Sequence, residues 1–217
     1  MTRTFLIDLD GTLVDSLPDI VASCNRLMAK LGLAPFAAAD IRPMIGDGAA
    51  ALVDKIMTAR GRAATTADVD ALVASYMDHD EGAARAYPGV PETLDQMLAS
   101  GWRLAVCTNK PAAPARAVLK ALGLLHRFAA VGGGDSFPVR KPDPGHLLAT
   151  LKDAGGDPAG AVMLGDHRND IAAAAAAGIP SIFAAWGYGA PGMADGAGAI
   201  AHAFTQAPGL ADRLLAR

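Results

Sequence analysis

The sequence has few of the residues on which several classes of protein depend. Only two of its 217 residues are cysteines, Cys24 and Cys107, and they are far apart in the chain. This excludes a disulfide framework and a cysteine-based zinc site, and it favours a reducing compartment. Aromatic residues make up 5% of the chain and charged residues 19%, whereas hydrophobic residues reach 52%. That balance excludes a disordered chain and predicts a folded one.

Positive charge and long apolar runs are also scarce. The formal net charge is −3, so no overall positive field would attract nucleic acid or an anionic membrane. The longest smooth apolar stretch, residues 171–179, is roughly half as long as a membrane-spanning helix. The first apolar run ends at Asp8 after three residues, and a secretory signal needs about 7–15. We therefore expect a cytoplasmic protein with no membrane or nucleic-acid partner.

Short apolar segments alternate with segments of helical periodicity along most of the chain. The strand pattern covers residues 5–10, 103–108, 128–131, 161–165 and 181–184, and the helix pattern covers residues 90–100, 111–122, 143–153 and 169–177. Asp143 followed by Pro144 is typical of a helix N-cap. Strictly alternating strands and helices predict an α/β fold, a Rossmann-like doubly wound parallel sheet with helices on both faces.

One interval interrupts this alternation. Residues 16–83 contain no strand pattern and at least three helices. These run from Ser16 to about residue 31, from about residue 40 to 61 with a break at residues 46–48, and from about residue 67 to 80. The first helix starts with Ser16-Leu17-Pro18-Asp19, which resembles a capping box. We predict an all-helical domain at residues 16–83, inserted between residues 1–15 and 84–217 of the α/β core.

Acidic residues follow two of the predicted strands. Asp8 and Asp10 point the same way at the end of the first strand because side chains in a strand alternate. Asp166 and Asp170 follow the strand at residues 161–165. Parallel strands bring their carboxyl ends to one edge of the sheet, where ligands bind. Carboxylates that meet there would need a divalent cation between them, and an all-oxygen site suits Mg²⁺.

Phosphate-binding groups follow other strands. Thr108, Asn109 and Lys110 supply a hydroxyl, amide groups and an ammonium, and Lys141 supplies a second ammonium. A cation, a hydroxyl and lysines around carboxylates are what a phosphoryl group requires.

Each of these features has a simpler interpretation. A calcium loop with Gly11 at its sixth position would place leucines where carboxylates are needed, at Leu6 and Leu17. Thr108 and Asn109 could cap a helix, Lys141 could be a solvated loop lysine, and Asp170 could interact with a helix dipole. The occurrence of all four features at strand ends favours a single site.

These residues resemble the four motifs of the haloacid dehalogenase superfamily of Mg²⁺ phosphatases. The matching segments are Asp8-Leu-Asp-Gly-Thr-Leu-Val-Asp15, Thr108-Asn-Lys110, Lys141-Pro142, and Gly165-Asp166 with Asp170. The resemblance extends over residues 5 to about 190, and the helical insert occupies the place of the C1 cap of that family. Segments at residues 45–49, 108–111, 133–135, 165–171, 176–181 and 186–189 are most similar to the phosphoglycolate phosphatase subfamily. His167 departs from the small hydroxyl residue that the family more often has, and we interpret it as a tolerated neighbour of a metal ligand.

The resemblance implies a role for each residue. Asp8 would be the nucleophile that forms an aspartyl-phosphate, and Asp10 the general acid and base. The catalytic residues would be Asp8, Asp10 and Lys141, the phosphate-binding residues Thr108, Asn109, Lys141 and Gly11, and the Mg²⁺ ligands Asp8, Asp10 through its backbone carbonyl, Asp166 and Asp170. The partner would be a small phosphorylated metabolite, 2-phosphoglycolate, and the protein a monomer or homodimer.

Residues 46–48 with Ala49, and Arg42 nearby, are candidates for binding a second anion of the substrate, although these residues could equally form a hinge between cap helices. A phosphomutase, or a phosphatase acting on sugar phosphates or pyrophosphate, would use the same core. A receiver-type signalling module also combines acids, a threonine and a lysine, but it lacks the helical insert. The Gly-x-Gly-x-x-Gly pattern at residues 187–192 is not followed by an amphipathic helix, which disfavours a dinucleotide site.

Overall fold

The strands form one large sheet and one small ladder in the computed structural model, which describes residues 2–78 and 83–216. In chain order they are β1 (Thr4–Ile7), β2 (Val14–Asp15), β3 (Arg85–Ala86), β4 (Arg103–Cys107), β5 (Ala130–Gly132), β6 (Ala161–Gly165), β7 (Ser181–Ala184) and β8 (Ala199–Ala201). The large sheet is parallel throughout and has the order β5-β4-β1-β6-β7-β8, while β2 pairs with β3 in antiparallel orientation. Strand β1 therefore lies at the point where the strand order reverses, which is where open α/β sheets bind ligands.

Helices cover both faces of the large sheet. The α-helices are α1 (Leu17–Lys30), α2 (Ala38–Ile41), α3 (Ala49–Thr58), α4 (Thr66–Asp78), α5 (Val90–Ala99), α6 (Ala112–Ala121), α7 (Pro144–Asp153), α8 (Arg168–Ala176) and α9 (Ala207–Leu215). Phe5 and Ile7 of β1 are buried with side chains of α5, α6 and α9, whereas Leu6 is buried with side chains of α7 and α8. The predicted doubly wound parallel sheet is therefore confirmed. In the described part of the chain, no helix combines the length and apolar character needed to cross a membrane.

The five predicted strands are all present, but the central strand predicted at residues 5–10 ends at Ile7, because the N–H groups of residues 12 and 13 donate to the Leu9 carbonyl in a turn. Other differences lie at the edges of the sheet. The strand predicted at residues 128–131 begins at Ala130, because residues 125–127 form a 3₁₀ turn. Strand β8 and helix α9 were not predicted. Strand β8 is three residues long and lies at the sheet edge, where Ile200 is 50% exposed, so it lacks the apolar run of a central strand.

Helices α1 to α4 form a separate helical unit with its own core, which we call the cap. Its buried side chains come from α1 to α4 and include Cys24, Ile41, Ile56 and Leu72. The chain enters the cap through β2 and leaves it through β3, and these strands pair Val14 with Ala86. The unit agrees with the predicted helical insert. Its boundaries at residues 15/16 and 83/84 remain a prediction, and the predicted end of the third helix at Asp80 lies outside the described residues.

Of the two helix N-caps predicted from the sequence, Asp143 is confirmed and Ser16 is not. The Asp143 carboxylate accepts a hydrogen bond of 2.8 Å from the Gly145 N–H, which confirms it as the N-cap of α7. The capping box predicted at Ser16 was wrong, because the Ser16 side chain makes no capping hydrogen bond. Its hydroxyl instead donates to the Asp10 carboxylate over 2.5 Å.

A buried histidine, His146, connects α7 to the sheet. Its Nε2 lies 3.1 Å from the Gly133 carbonyl oxygen, and its Nδ1 lies 3.8 Å from the Cys107 sulfur. Burial, with a smaller contribution from the charge of Lys141, lowers the pKa of His146 to about 4. The folded protein therefore holds a neutral imidazole, whereas the unfolded chain takes up a proton near pH 6.5.

We expect the free energy of unfolding to decrease as the pH falls from about 6.5 to 4, because the unfolded state binds the extra proton in this window. The contribution of His146 to that loss is up to about 3 kcal/mol. H146Q retains a donor for Gly133 but does not titrate, so it should lose less stability on acidification. Urea unfolding of both proteins at pH 7 and pH 4.5 measures the difference. Equal losses in the two proteins would contradict the prediction.

Candidate active site

Three buried carboxylates meet at the carboxyl edge of the large sheet. Asp8 follows β1, Asp166 follows β6, and Asp170 lies in the first turn of α8. One carboxylate oxygen of each residue lies within 4.8 Å of the other two. The structure therefore brings together three of the four residues predicted to bind a metal. The fourth, Asp10, directs its carboxylate elsewhere, which leaves its backbone carbonyl as its predicted ligand.

The charge of this cluster is only partly balanced by the protein. The Nζ atom of Lys141 lies 2.5 Å from Asp170, 3.0 Å from Asp8 and 2.5 Å from the carbonyl oxygen of Cys107. One ammonium thus faces two carboxylates. Burial and the charge of Asp8 raise the pKa of Asp166 to about 7, and burial also raises the pKa of Asp170 above its usual range. An all-oxygen donor set with excess negative charge fits Mg²⁺.

Asp166 is held by donors from two loops. Its carboxylate accepts hydrogen bonds from the Thr12 hydroxyl over 2.9 Å and from the backbone N–H groups of Tyr188 and Gly189 over 2.7 and 3.3 Å. Gly11 packs directly against it, since a Cβ there would lie 2.4 Å from Asp166 Oδ2, and its φ of +82° also favours glycine. The Gly11 N–H donates to the Val14 carbonyl over 2.9 Å, and the predicted role of Gly11 in phosphate binding stays a prediction.

Asp10 has donors of its own. Its carboxylate accepts the Ser16 hydroxyl at 2.5 Å and lies 3.2 and 3.3 Å from the Nζ atom of Lys110. Ser16 was not among the predicted site residues, and Lys110 was predicted as an ammonium near a phosphoryl group, not as a partner of Asp10. The Thr108-Asn109-Lys110 motif contained the signal for Lys110, but the direction of its side chain depends on the turn after β4.

Thr108 and Asn109 lie where β4 reaches the same edge. Thr108 is buried, and its hydroxyl accepts the Lys110 N–H over 3.2 Å. The side-chain amide of Asn109 donates to the carbonyl oxygens of Lys141 over 2.9 Å and Gly46 over 3.0 Å. Asn109 therefore joins the core to the cap, a role that was not predicted. Its predicted role in phosphate binding stays a prediction.

A small cleft lies between the core and the cap. Its floor contains Asp8, Asp10 and Thr108, and its roof includes apolar residues of the cap such as Ile20 and Leu52. The cleft therefore gives a small substrate access to both aspartates after β1.

Residues 46–48 of the cap, predicted as an anion-binding loop or a hinge, contact the core directly. The Asp47 carboxylate accepts a hydrogen bond from the Asn169 amide over 2.8 Å and pairs with Lys55 over 2.6 Å. The His167 ring packs so closely on Gly46 that a Cβ there would lie 2.6 Å from it. Since His167 immediately follows Asp166, the loop that carries this acid is in contact with the cap.

The segment at residues 186–189 connects the acidic cluster to the entrance of the cap. The Tyr188 hydroxyl accepts the N–H groups of Ser16 and Leu17 over 2.8 and 2.9 Å and donates to Asp15 over 2.8 Å. Arg42 donates to the Gly187 carbonyl over 2.7 Å and lies over the Tyr188 ring. The sequence motif indicated only a family resemblance at this segment, and this linking role was missed.

The family model and two relatives that match this chain are described as hydrolases or phosphatases. A family model described as haloacid dehalogenase-like hydrolase matches residues 2–178. A phosphoglycolate phosphatase of Agrobacterium fabrum is 43% identical over 187 residues, which cover 84% of this chain and 80% of that protein. A phosphoglycolate phosphatase of Caulobacter vibrioides is 39% identical over 212 residues, covering 94% and 89%.

Among solved structures, a predicted phosphoglycolate phosphatase of Haemophilus somnus has a TM-score of 0.87 at 30% identity, and the match covers 96% of this chain and 97% of that one. Sequence, fold and the arrangement of the aspartates therefore agree, and the chain belongs to the haloacid dehalogenase-like hydrolase family.

Proposed function

We propose that this phosphoric monoester hydrolase is a Mg²⁺-dependent phosphatase that converts 2-phosphoglycolate to glycolate and phosphate through an aspartyl-phosphate on Asp8. The observation that carries the proposal is the joint exposure of Asp8 and Asp10 to one small cleft beside the acidic cluster. The relatives named phosphoglycolate phosphatase support the substrate.

Asp8 is oriented for attack by two donors. Its Oδ1 accepts the Leu9 N–H over 2.8 Å and lies 3.0 Å from Lys141 Nζ. This leaves Oδ2 to form a bond with phosphorus while the bond between phosphorus and the ester oxygen breaks. Lys141 and the Thr108 hydroxyl would stabilise the charge on the transferring oxygens.

Asp10 stands two residues further on, facing the same cleft. It would give its proton to the leaving alkoxide and then take a proton from the water that hydrolyses the aspartyl-phosphate. The second step breaks the bond between the Asp8 oxygen and phosphorus and releases inorganic phosphate.

The acidic cluster would hold the metal through Asp8, Asp166 and Asp170, together with the Asp10 backbone carbonyl. When bound, Mg²⁺ would reduce the repulsion between the Asp8 carboxylate and an incoming phosphate dianion.

D8N should lose phosphatase activity by about three orders of magnitude or more, because the amide is a poor nucleophile. The fold should persist, since the replacement is nearly isosteric. Steady-state release of phosphate and circular dichroism measure the two properties. The matched control is D153N, which changes an exposed aspartate at the end of α7. Turnover by D8N at the rate of D153N would contradict the assignment of the nucleophile.

Removal of divalent cations with EDTA should abolish turnover, and Mg²⁺ should restore it. Mg²⁺ should also raise the melting temperature, because a cation that binds only the folded protein stabilises it. The rise should be smaller in D166N, which lacks one of the three clustered charges. Turnover that persists in EDTA would contradict the proposed requirement for a divalent cation.

The wild-type enzyme should release inorganic phosphate from 2-phosphoglycolate with a kcat/KM at least about tenfold higher than from hexose phosphates or pyrophosphate, because the cleft is small and largely apolar on the cap side. A phosphomutase would instead yield an isomerised sugar phosphate without free phosphate. A colorimetric phosphate assay over this panel distinguishes the outcomes, and a preference for a hexose phosphate would replace the proposed substrate.

A further inference from the structure

Lys110 presents a buried positive charge to the substrate cleft. Its side chain is only 5% exposed, and its Nζ atom lies 3.2 and 3.3 Å from the two oxygens of Asp10. From the cap, the Tyr76 ring lies over the ammonium at 4.6 Å from ring centre to Nζ, a cation–π contact. The position of this ammonium is therefore fixed from both the core and the cap.

The other candidate cations near the cleft have different partners. Lys141 contacts Asp8, Asp170 and the Cys107 carbonyl oxygen. Arg42, predicted to lie near a second anion of the substrate, donates to the Gly187 carbonyl. Among the described residues that line this cleft, Lys110 is the one that carries a positive charge.

The positions of Asp8 and Asp10 determine which part of a bound substrate would contact Lys110. The phosphorus of a substrate must contact Asp8, and its ester oxygen must lie within hydrogen-bond distance of Asp10. The atoms next to the ester oxygen then lie beside Asp10 and hence beside its partner Lys110. The cap side of the cleft has apolar side chains such as Ile20 and Leu52, which offer an anion no hydrogen bond, and residues 46, 48 and 49 of the cap line it without a charged side chain facing Asp10.

We infer that Lys110 is a specificity-determining residue that binds a carboxylate carried by the leaving group one carbon from the ester oxygen. In the complex, Lys110 would contact both Asp10 and this carboxylate. The inference rests on the proposed phosphatase function and extends it, because it names the residue that separates an anionic leaving group from a neutral one. Charge-assisted hydrogen bonds of this kind are among the stronger contacts in proteins.

Three phosphate esters of similar size and different charge test the inference. They are 2-phosphoglycolate, ethyl phosphate and O-phosphoethanolamine, whose leaving groups are anionic, neutral and cationic. The variants are K110M, K110Q and K110E, and the control is K120M at an exposed lysine of α6. The measured quantity is the ratio of kcat/KM for 2-phosphoglycolate to kcat/KM for ethyl phosphate, because any effect on Asp10 itself applies to both esters and cancels.

We expect this ratio to fall about 10- to 100-fold in K110M and K110Q and to stay unchanged in K120M. K110E should shift the preference toward O-phosphoethanolamine. Equal losses for 2-phosphoglycolate and ethyl phosphate in K110M and K110Q would overturn the inference and leave Lys110 as a positioning residue for Asp10. The wild-type measurements test the proposed function separately. If the wild type hydrolyses none of the three esters, that function is contradicted, and the inference fails with it.

Discussion

The repulsion among three buried carboxylates determines how the carboxyl edge of this sheet is built. Asp8, Asp166 and Asp170 come from two neighbouring strands and one helix, and their oxygens lie within 4.8 Å of one another. Such a cluster is stable only where positive charge and N–H or O–H donors surround it. The Lys141 ammonium, the Thr12 hydroxyl and the backbone N–H groups of residues 188 and 189 provide them. The loops at this edge therefore supply the hydrogen-bond donors that the clustered carboxylates require.

The same loops connect the chemistry to the cap. The chain passes from Asp8 and Asp10 through β2 into α1 within a few residues, and Ser16, the last residue before α1, donates to Asp10. Tyr188 binds the first N–H groups of α1 with its hydroxyl and Asp166 with its backbone N–H. A movement of the cap relative to the core would therefore act directly on the hydrogen bonds of Asp10 and Asp166.

The central part of this structure could be predicted from the sequence, and the reasons are local. Strands β1 and β6 are apolar runs, each followed directly by an acid, Asp8 or Asp166. Parallel pairing of the two strands then places both acids at one edge of the sheet. Contacts between distant segments could not be predicted in this way. Ser16 matched a capping box, yet its hydroxyl binds Asp10, because the tertiary partner prevails over the local one. The hydrogen bond from the Gly11 N–H to the Val14 carbonyl could likewise not be predicted from the local pattern.

The two buried lysines at this sheet edge have separate roles in the proposed reaction. Lys141 contacts two carboxylates of the acidic cluster, one of them the proposed nucleophile Asp8. Lys110 lies beside the proposed acid Asp10, under an aromatic ring of the cap. A charge near Lys141 acts on every phosphate ester alike, since all of them carry the same phosphoryl group. A charge near Lys110 acts on the part of the substrate that varies, so selectivity can change at this position while the phosphoryl-transfer residues remain the same.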